Sequence, residues 1–361
     1  MTQRALFQLA FNSICKTMRL TSEDVRKNIG SRALQPVGAA RLSAWLSQKE
    51  DEYRIVLYQS DATLTPWTLR CLRQADCVLM VGYGDEAPDF NDIGKFLLGT
   101  ADKLRGRKDL VLLHKLSGPN VLTTRTWIDA HPWISLHHHI ACPDRMFHTR
   151  LPRLSQSGLR PRAATMDFPH TADKHSDFSR LARILTGTAV GLVLGGGGAR
   201  GFSHVGMIES LLEEGIPIDM IGGVSMGAFV SALWALYRDL PEVRRRCKIW
   251  AQSMGNPWNV FREITYPYMA LFSGKLYNQF VRAGVGDVQI EQLWIPYFCA
   301  SCDITDVALR VHTRGDLWRY ARASMTVVGY FPPICDPEDG HLLVDGGYMV
   351  TKMSPLPHHH R

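Results

Sequence analysis

Across 361 residues the sequence is poor in the patterns that announce a disulfide scaffold, a metal, a nucleic acid or a membrane span. Its eight cysteines are scattered at 15, 71, 77, 142, 247, 299, 302 and 335. Disulfide frameworks belong to much smaller secreted domains, so a reducing compartment is expected. Cys299-Ala-Ser-Cys302 is a C-x-x-C pair on a strand-like segment. Residues three apart on a strand face opposite sides and no second pair completes the set, so no zinc site is expected. His137-His138-His139 cannot converge on one metal for the same reason, and a surface or edge position is expected for it. The longest uncharged run, Met220–Tyr237, touches the length of a membrane span at 18 residues. Gly222, Gly223 and Gly227 break it, and a short strand followed by a buried helix accounts for it better. Near the start, Ala5–Phe11 is apolar but short, interrupted by Gln8 and without a cleavage site, which suits an amphipathic helix or a domain edge rather than a signal peptide. No basic array interleaved with aromatics is present, so nucleic acid is not an expected partner.

What remains is an ordinary globular composition, 45% hydrophobic and 21% charged, long enough for about two domains. The net charge of +7 has its local focus between Arg145 and Arg183, where eight Lys/Arg face three Asp. A solvated linker is the plain reading, and contact with anionic headgroups the alternative. Residues 1–50 read as helix, then loop, with a helix ending near Leu42–Leu46. Strands at 54–58, 77–82 and 110–114 alternate with helices at 66–74 and 91–104, which predicts a small parallel α/β domain over residues 1–150. It holds neither G-x-x-x-x-G-K-[ST] nor G-x-G-x-x-G, so no nucleotide site is expected there. Residues 151–187 read as a linker and lead-in helix, and 188–361 as a second α/β domain.

The second domain opens on the informative stretch. A strand at 189–194 runs into Gly195-Gly196-Gly197-Gly198-Ala199-Arg200-Gly201, then a helix ending near Gly215. A short strand, Ile218–Gly222, leads to Gly223-Val224-Ser225-Met226-Gly227 and a second helix. Serine on a sharp strand-to-helix turn beside a cluster of glycine N–H groups is what acyl transfer needs. Ser225 is the candidate nucleophile; Gly223 and Gly227 allow the turn, and the helix N-terminus adds partial positive charge. Gly196, Gly197 and Gly198 present unobstructed amides, while Arg200 either steadies the loop or meets a phosphate. Further on, His341–Val344 forms a strand that delivers Asp345-Gly346-Gly347 at its end, where open α/β sheets react, making Asp345 the best-placed base. Alone, an aspartate base must be partly desolvated to hold a proton.

Two rivals compete for these residues. Gly196–Gly201 also fits the dinucleotide fingerprint, but the next strand has Asp219 at its start instead of an acid at its far end. A Ser-His-Asp triad could draw on His204, His312 or His341; His341 opens the Asp345 strand and belongs at the opposite edge, while His204 is read as helix packing, with a supporting role at the loop as the alternative. Trp258, Phe261, Tyr266, Tyr268 and Phe272 are read as core or loop packing, with an acyl channel wall or a lipid-facing lid as the functional alternative.

At these residues the chain resembles the patatin-like phospholipases, which combine a glycine-rich oxyanion loop, a G-x-S-x-G serine and a D-G-[AG] aspartate in a Ser-Asp dyad. Asp303-Ile304-Thr305, Leu317–Tyr320, Arg322–Thr326 and Cys335-Asp336-Pro337 look like the neuropathy target esterase branch. So do the upstream segments 54–58, 64–67, 70–76 and 175–183. The resemblance implies a patatin-like three-layer α/β/α domain behind a smaller parallel α/β domain, with Ser225 as nucleophile, Asp345 as base and Gly196 to Gly198 as oxyanion loop. Arg200, Gly201, Gly223, Gly227, Gly346 and Gly347 complete the motifs. It implies hydrolysis of the acyl ester of lysophosphatidylcholine, with phosphatidylcholine as a further candidate, at the cytoplasmic face of the endoplasmic reticulum membrane, without metal or cofactor. The N-terminal membrane anchor of relatives is not expected here, and their segments beyond the aspartate strand are not matched. The alternative function is therefore a catalytically impaired fragment that binds lipid or protein.

Overall fold

Short apolar strands alternate with helices along the chain, and the structure, a computed structural model, sorts them into two units, Met1–Thr188 and Ala189–Arg361. It describes residues 3–88, 91–100, 103–115, 124–142 and 173–349.

The first unit runs α1 (Gln3–Asn12), β1 (Thr17–Leu20), α2 (Ser22–Ile29), α3 (Ala39–Glu52), β2 (Ile55–Tyr58), α4 (Pro66–Gln74) and β3 (Cys77–Tyr83). It continues with α5 (Asp92–Thr100), β4 (Arg107–Lys115), α6 (Thr124–Ala130), β5 (Leu136–Cys142) and α7 (Asp177–Thr186). Local chemistry fixes the helix starts. Thr65 accepts from the Thr68 N–H ahead of Pro66 at the head of α4, and Ser176 accepts from Ser179 N–H at the head of α7. All strand pairs are parallel, but they form two pieces, β1-β2 and β3-β4-β5. Two expectations fail here. Leu42 and Leu46 lie buried mid-way along α3 rather than at a helix end, and β1, only four residues long, escapes a periodicity reading. The three histidines sit on an edge strand as expected, yet His138 and His139 are buried. His139 Nδ1 lies 3.0 Å from His114 Nε2, and His138 Nε2 lies 3.4 Å from the Asp109 carboxylate. Most of the stretch read as a linker, 151–172, lies outside the described residues.

The second unit begins β6 (Gly191–Leu194), α8 (Ser203–Glu213), β7 (Met220–Gly223), α9 (Met226–Tyr237), α10 (Leu240–Met254), α11 (Pro257–Glu263) and α12 (Lys275–Val285). Then come β8 (Tyr297–Asp303), β9 (Ala308–His312), α13 (Leu317–Ser324), β10 (Ile334–Cys335) and β11 (Leu342–Asp345). The mixed sheet runs β10-β11-β8-β7-β6, with β9 also paired to β8. Strands β6, β7 and β8 are parallel; β9, β10 and β11 are antiparallel to their neighbours. Helix α9 is apolar on every side and buried from Met226 to Ala235, as an all-round hydrophobic helix must be. Its Phe229, Leu233 and Trp234 pack with Ile221, Val243, Tyr277, Val281 and Tyr320 into the unit's main core. Helix α13 stops at Ser324. Thr326 turns its hydroxyl back onto the Arg322 carbonyl, and its own carbonyl receives the Asp345 N–H, so the chain leaves the helix to meet β11.

Candidate active site

Parallel pairing of Leu194 with Gly223 brings the loop after β6 and the turn after β7 out side by side. In that turn Ser225 has φ 55° and ψ −129°, a backbone conformation side chains rarely adopt. The surroundings hold it there. Val224 N–H donates to the Leu194 carbonyl (3.0 Å), Gly227 N–H to the Val224 carbonyl (2.9 Å), and Ser225 N–H to the Ser324 hydroxyl (2.9 Å). Ser324 is itself fully buried and donates to the Ala300 carbonyl on β8 at 2.6 Å. Gly223 and Gly227 are required by contact: a Cβ on either would overlap the Leu194 carbonyl.

Asp345 reaches the same place from the opposite direction. Strand β11 runs antiparallel to β8. Register still makes the two groups level. Gly223 pairs with Cys299 and Asp345 with Ser301, so Asp345 stands two residues further along β8, as Ser225 does beyond Gly223. Asp345 is buried, and burial raises its carboxyl above the usual aspartate value. The Gly347 N–H, bonded to it at 2.8 Å, and the nearby Ser225 hydroxyl pull the other way. Its own N–H is held by the Thr326 carbonyl at 2.9 Å. Gly346 is packed so closely under Asp345 that a Cβ would overlap the Ala300 carbonyl.

The glycine loop lies against the serine. A Cβ on Gly196 would sit 3.1 Å from the Ser225 Cβ. The N–H groups of Gly196 and Gly197 donate to no protein group among the described residues. Gly198 takes a left-handed φ of 54°, opening the turn through Ala199, Arg200 and Gly201 that leads into α8. Gly201 is buried beneath Met226. Arg200 is exposed, and its guanidinium makes no bond to the loop among the described residues. Steadying falls instead to His204, whose Nε2 donates to the Gly195 carbonyl at 2.9 Å. Exposed amides beside a constrained hydroxyl and a desolvated carboxylate can stabilise an oxyanion, deliver a nucleophile and take its proton.

The other histidines are engaged elsewhere. His312 lies 2.6 Å from the Ser301 hydroxyl and stacks on Tyr320; burial drives it down to about 4, which keeps it neutral. His341 bonds the Asp303 carboxylate at 2.8 Å, at the far end of β11 from Asp345. Asp303, Asp306 and His341 bring one potential ligand atom each within 4.8 Å of one another. The Arg310 guanidinium already binds Asp303 (2.7 Å), Asp336 (3.2 Å) and Asp339 (2.6 Å), so that cluster has its counter-charge. Asp219, weighed against a dinucleotide site, accepts from Val190 N–H at 2.9 Å and ties β7 to the start of β6.

Pattern reading assigned no part to two residues that shape this site. Ser324 anchors the Ser225 amide. Arg322, fully buried, donates from Nε to Asn278 (2.8 Å) and from Nη1 to the Thr326 hydroxyl, and lies over the Tyr277 and Phe331 rings. Burial lowers it to about 10. The available signal was its spacing: Arg322 falls on the same helix as buried Leu317, Tyr320 and Ala321, where a cation has no reason to be unless it is bonded inside. The aromatic segment also departs from expectation. Phe272 lines a cavity of about 110 Å³ with Val260, Tyr277, Phe280 and Phe331, but Trp258, Phe261, Tyr266 and Tyr268 are exposed rather than packed.

Comparison with known proteins returns one family. A model described as the Neuropathy Target Esterase family P-loop like domain matches residues 4–187, and one described as Patatin-like phospholipase matches residues 192–356. Patatin-like phospholipase domain-containing protein 7 of Rattus norvegicus is 50% identical over 343 residues, which is 95% of this chain and 25% of that protein. Patatin-like phospholipase domain-containing protein 6 of Homo sapiens is 48% identical over 342 residues, covering 95% and 24%. Neuropathy target esterase sws of Drosophila melanogaster is 45% identical over 354 residues, covering 96% and 24%. The chain thus spans about a quarter of the length of these relatives. It belongs to the neuropathy target esterase family of patatin-like phospholipases, with a three-layer α/β/α patatin domain preceded by that family's P-loop-like domain.

Proposed function

We propose that the chain is a serine lipid hydrolase that removes the fatty-acyl group of lysophospholipids, lysophosphatidylcholine first and phosphatidylcholine second, at a membrane surface. The observation that carries it is Ser225 on a strained turn, brought level by strand register with a buried Asp345 whose carboxyl is raised by burial. Ser225 Oγ attacks the ester carbonyl while Asp345 takes its proton, and the N–H groups of Gly196 to Gly198 receive the oxyanion. Collapse breaks the bond to the glycerol oxygen, which leaves with the proton from Asp345, and the acyl group stays on Ser225. Water then attacks with Asp345 again as base, releasing fatty acid and free serine. No cofactor or metal takes part. Family membership supports a lipid ester; the cytoplasmic face of the endoplasmic reticulum is the proposed location by relationship alone.

The test is labelling with a fluorophosphonate together with fatty-acid release from lysophosphatidylcholine. Wild type should label and turn over, and Ser225→Ala should lose labelling and at least about 1,000-fold of the turnover. Equal silence from both, in folded protein, replaces the hydrolase with a lipid- or protein-binding module.

A further inference from the structure

We infer that residues 257–271, with the adjoining 327–330, form the surface by which this protein sits on a phospholipid bilayer. This deepens the lipid-hydrolase reading by naming the face involved. Trp258 is 74% exposed, Phe261 69%, Tyr268 88% and Met269 71%, a density of bare rings that single scattered apolar residues do not give. The segment is held in shape. Thr265 N–H donates to the Leu271 carbonyl (3.0 Å), Leu271 N–H to the Gly329 carbonyl (2.9 Å) and Phe272 N–H to the Tyr330 carbonyl (2.9 Å). The rings are therefore presented outward by a bonded framework.

Charge selects the occupant. From Asn256 to Val285 the sequence holds one acid, Glu263. It is turned inward, accepting from Ser273 Oγ at 3.0 Å and Leu276 N–H at 2.9 Å. Arg262 and Lys275 are exposed and make no ion pair among the described residues. Tryptophan and tyrosine with unpaired cations and no outward acid match the headgroup layer of a membrane with anionic lipid. A second copy of this face would instead set like charges against each other. The patch is continuous with the site: Val327 and Val328, both exposed, follow Thr326, whose carbonyl holds the Asp345 N–H. Phe272 and Val260 join it to the apolar cavity behind.

Co-flotation with vesicles of phosphatidylcholine containing a minority of phosphatidylserine tests this, using the full chain carrying Ser225→Ala so that no lipid is consumed. The parent should float, and Trp258→Ser/Phe261→Ser/Tyr268→Ser should lose about tenfold or more of its partitioning with an unchanged circular dichroism spectrum. Arg262→Glu/Lys275→Glu should lose binding to the anionic vesicles while keeping its melting temperature. A parent that stays unbound overturns the inference, as does a triple variant that floats like the parent. So does a parent dimer, seen by light scattering, that the triple variant dissociates. Fluorophosphonate labelling of otherwise wild-type protein separates the two ideas: membrane binding through this face with an unreactive Ser225 removes the hydrolase alone.

Discussion

Two buried aspartates in the second unit have opposite effects on stability. Asp345 is raised by burial, so the native state holds its proton more tightly than the unfolded chain does. Above the folded value the ionised, poorly solvated carboxylate subtracts stability. Asp303 is also desolvated, but His341, the N–H groups of Asp306 and Thr305, and Arg310 outweigh burial and pull it down to about 2. Its contribution is present above the ordinary value of 3.8 and is lost as pH falls through about 2. At pH 7, Asp345→Asn should therefore abolish hydrolysis while leaving the melting temperature unchanged or higher, whereas Asp303→Asn should lower it; calorimetry of both variants checks the contrast. In the active protein, the acidic limb of kcat/KM against pH should lie above an ordinary aspartate value, and Glu in place of Asp345 should move that limb. Ser324→Ala leaves the Ser225 amide without its acceptor and should cost about 1–3 kcal/mol in urea unfolding, together with slower fluorophosphonate labelling.

At the scale of elements, the glycines around the serine are demanded by neighbours more than by flexibility. A methyl group on Gly227 would overlap the carbonyls of Leu194 and Gly195, so Gly227→Ala should destabilise by about 1–3 kcal/mol and displace the turn, read as a lowered urea midpoint and lost labelling. Much of this was legible in the chain. Pro66 at a first turn marks α4, the long uncharged run marks α9, the G-x-S-x-G and Asp-Gly-Gly motifs mark the candidate dyad, and the strand-loop-helix order puts the glycine loop beside the serine. Strand direction was not legible, because a four-residue strand such as β11 has the same alternation whichever way it runs. Nor was the role of Ser324 or Arg322, since each acts on a residue far away in sequence, 99 positions in the Ser324–Ser225 bond. Exposure of Trp258 and Tyr268 was open only as the alternative to a core, because aromatic composition alone favours burial.

For the whole molecule, each unit carries its own core and its own acid-sensitive histidine. His114 in the first and His312 in the second are both driven down to about 4 by burial. A neutral buried histidine loses stability as pH falls below the unfolded value, since the unfolded chain then binds the extra proton, and the loss is complete near the folded value. Between pH 6.5 and 4 each should remove up to about 3 kcal/mol. Urea midpoints should fall over that interval, and His312→Gln, which cannot titrate, should flatten the second unit's share.

The hydroxyl of Ser324 has a wider consequence. It fastens the amide of Ser225 to Ala300 on β8, and the neighbouring residue on that strand, Ser301, is the cross-strand partner of Asp345. The separation of Ser225 and Asp345 is thus gauged by interstrand pairing rather than by the mood of a surface loop. Warming that leaves those rungs intact should leave the catalytic spacing intact, so inactivation and sheet melting should share one midpoint.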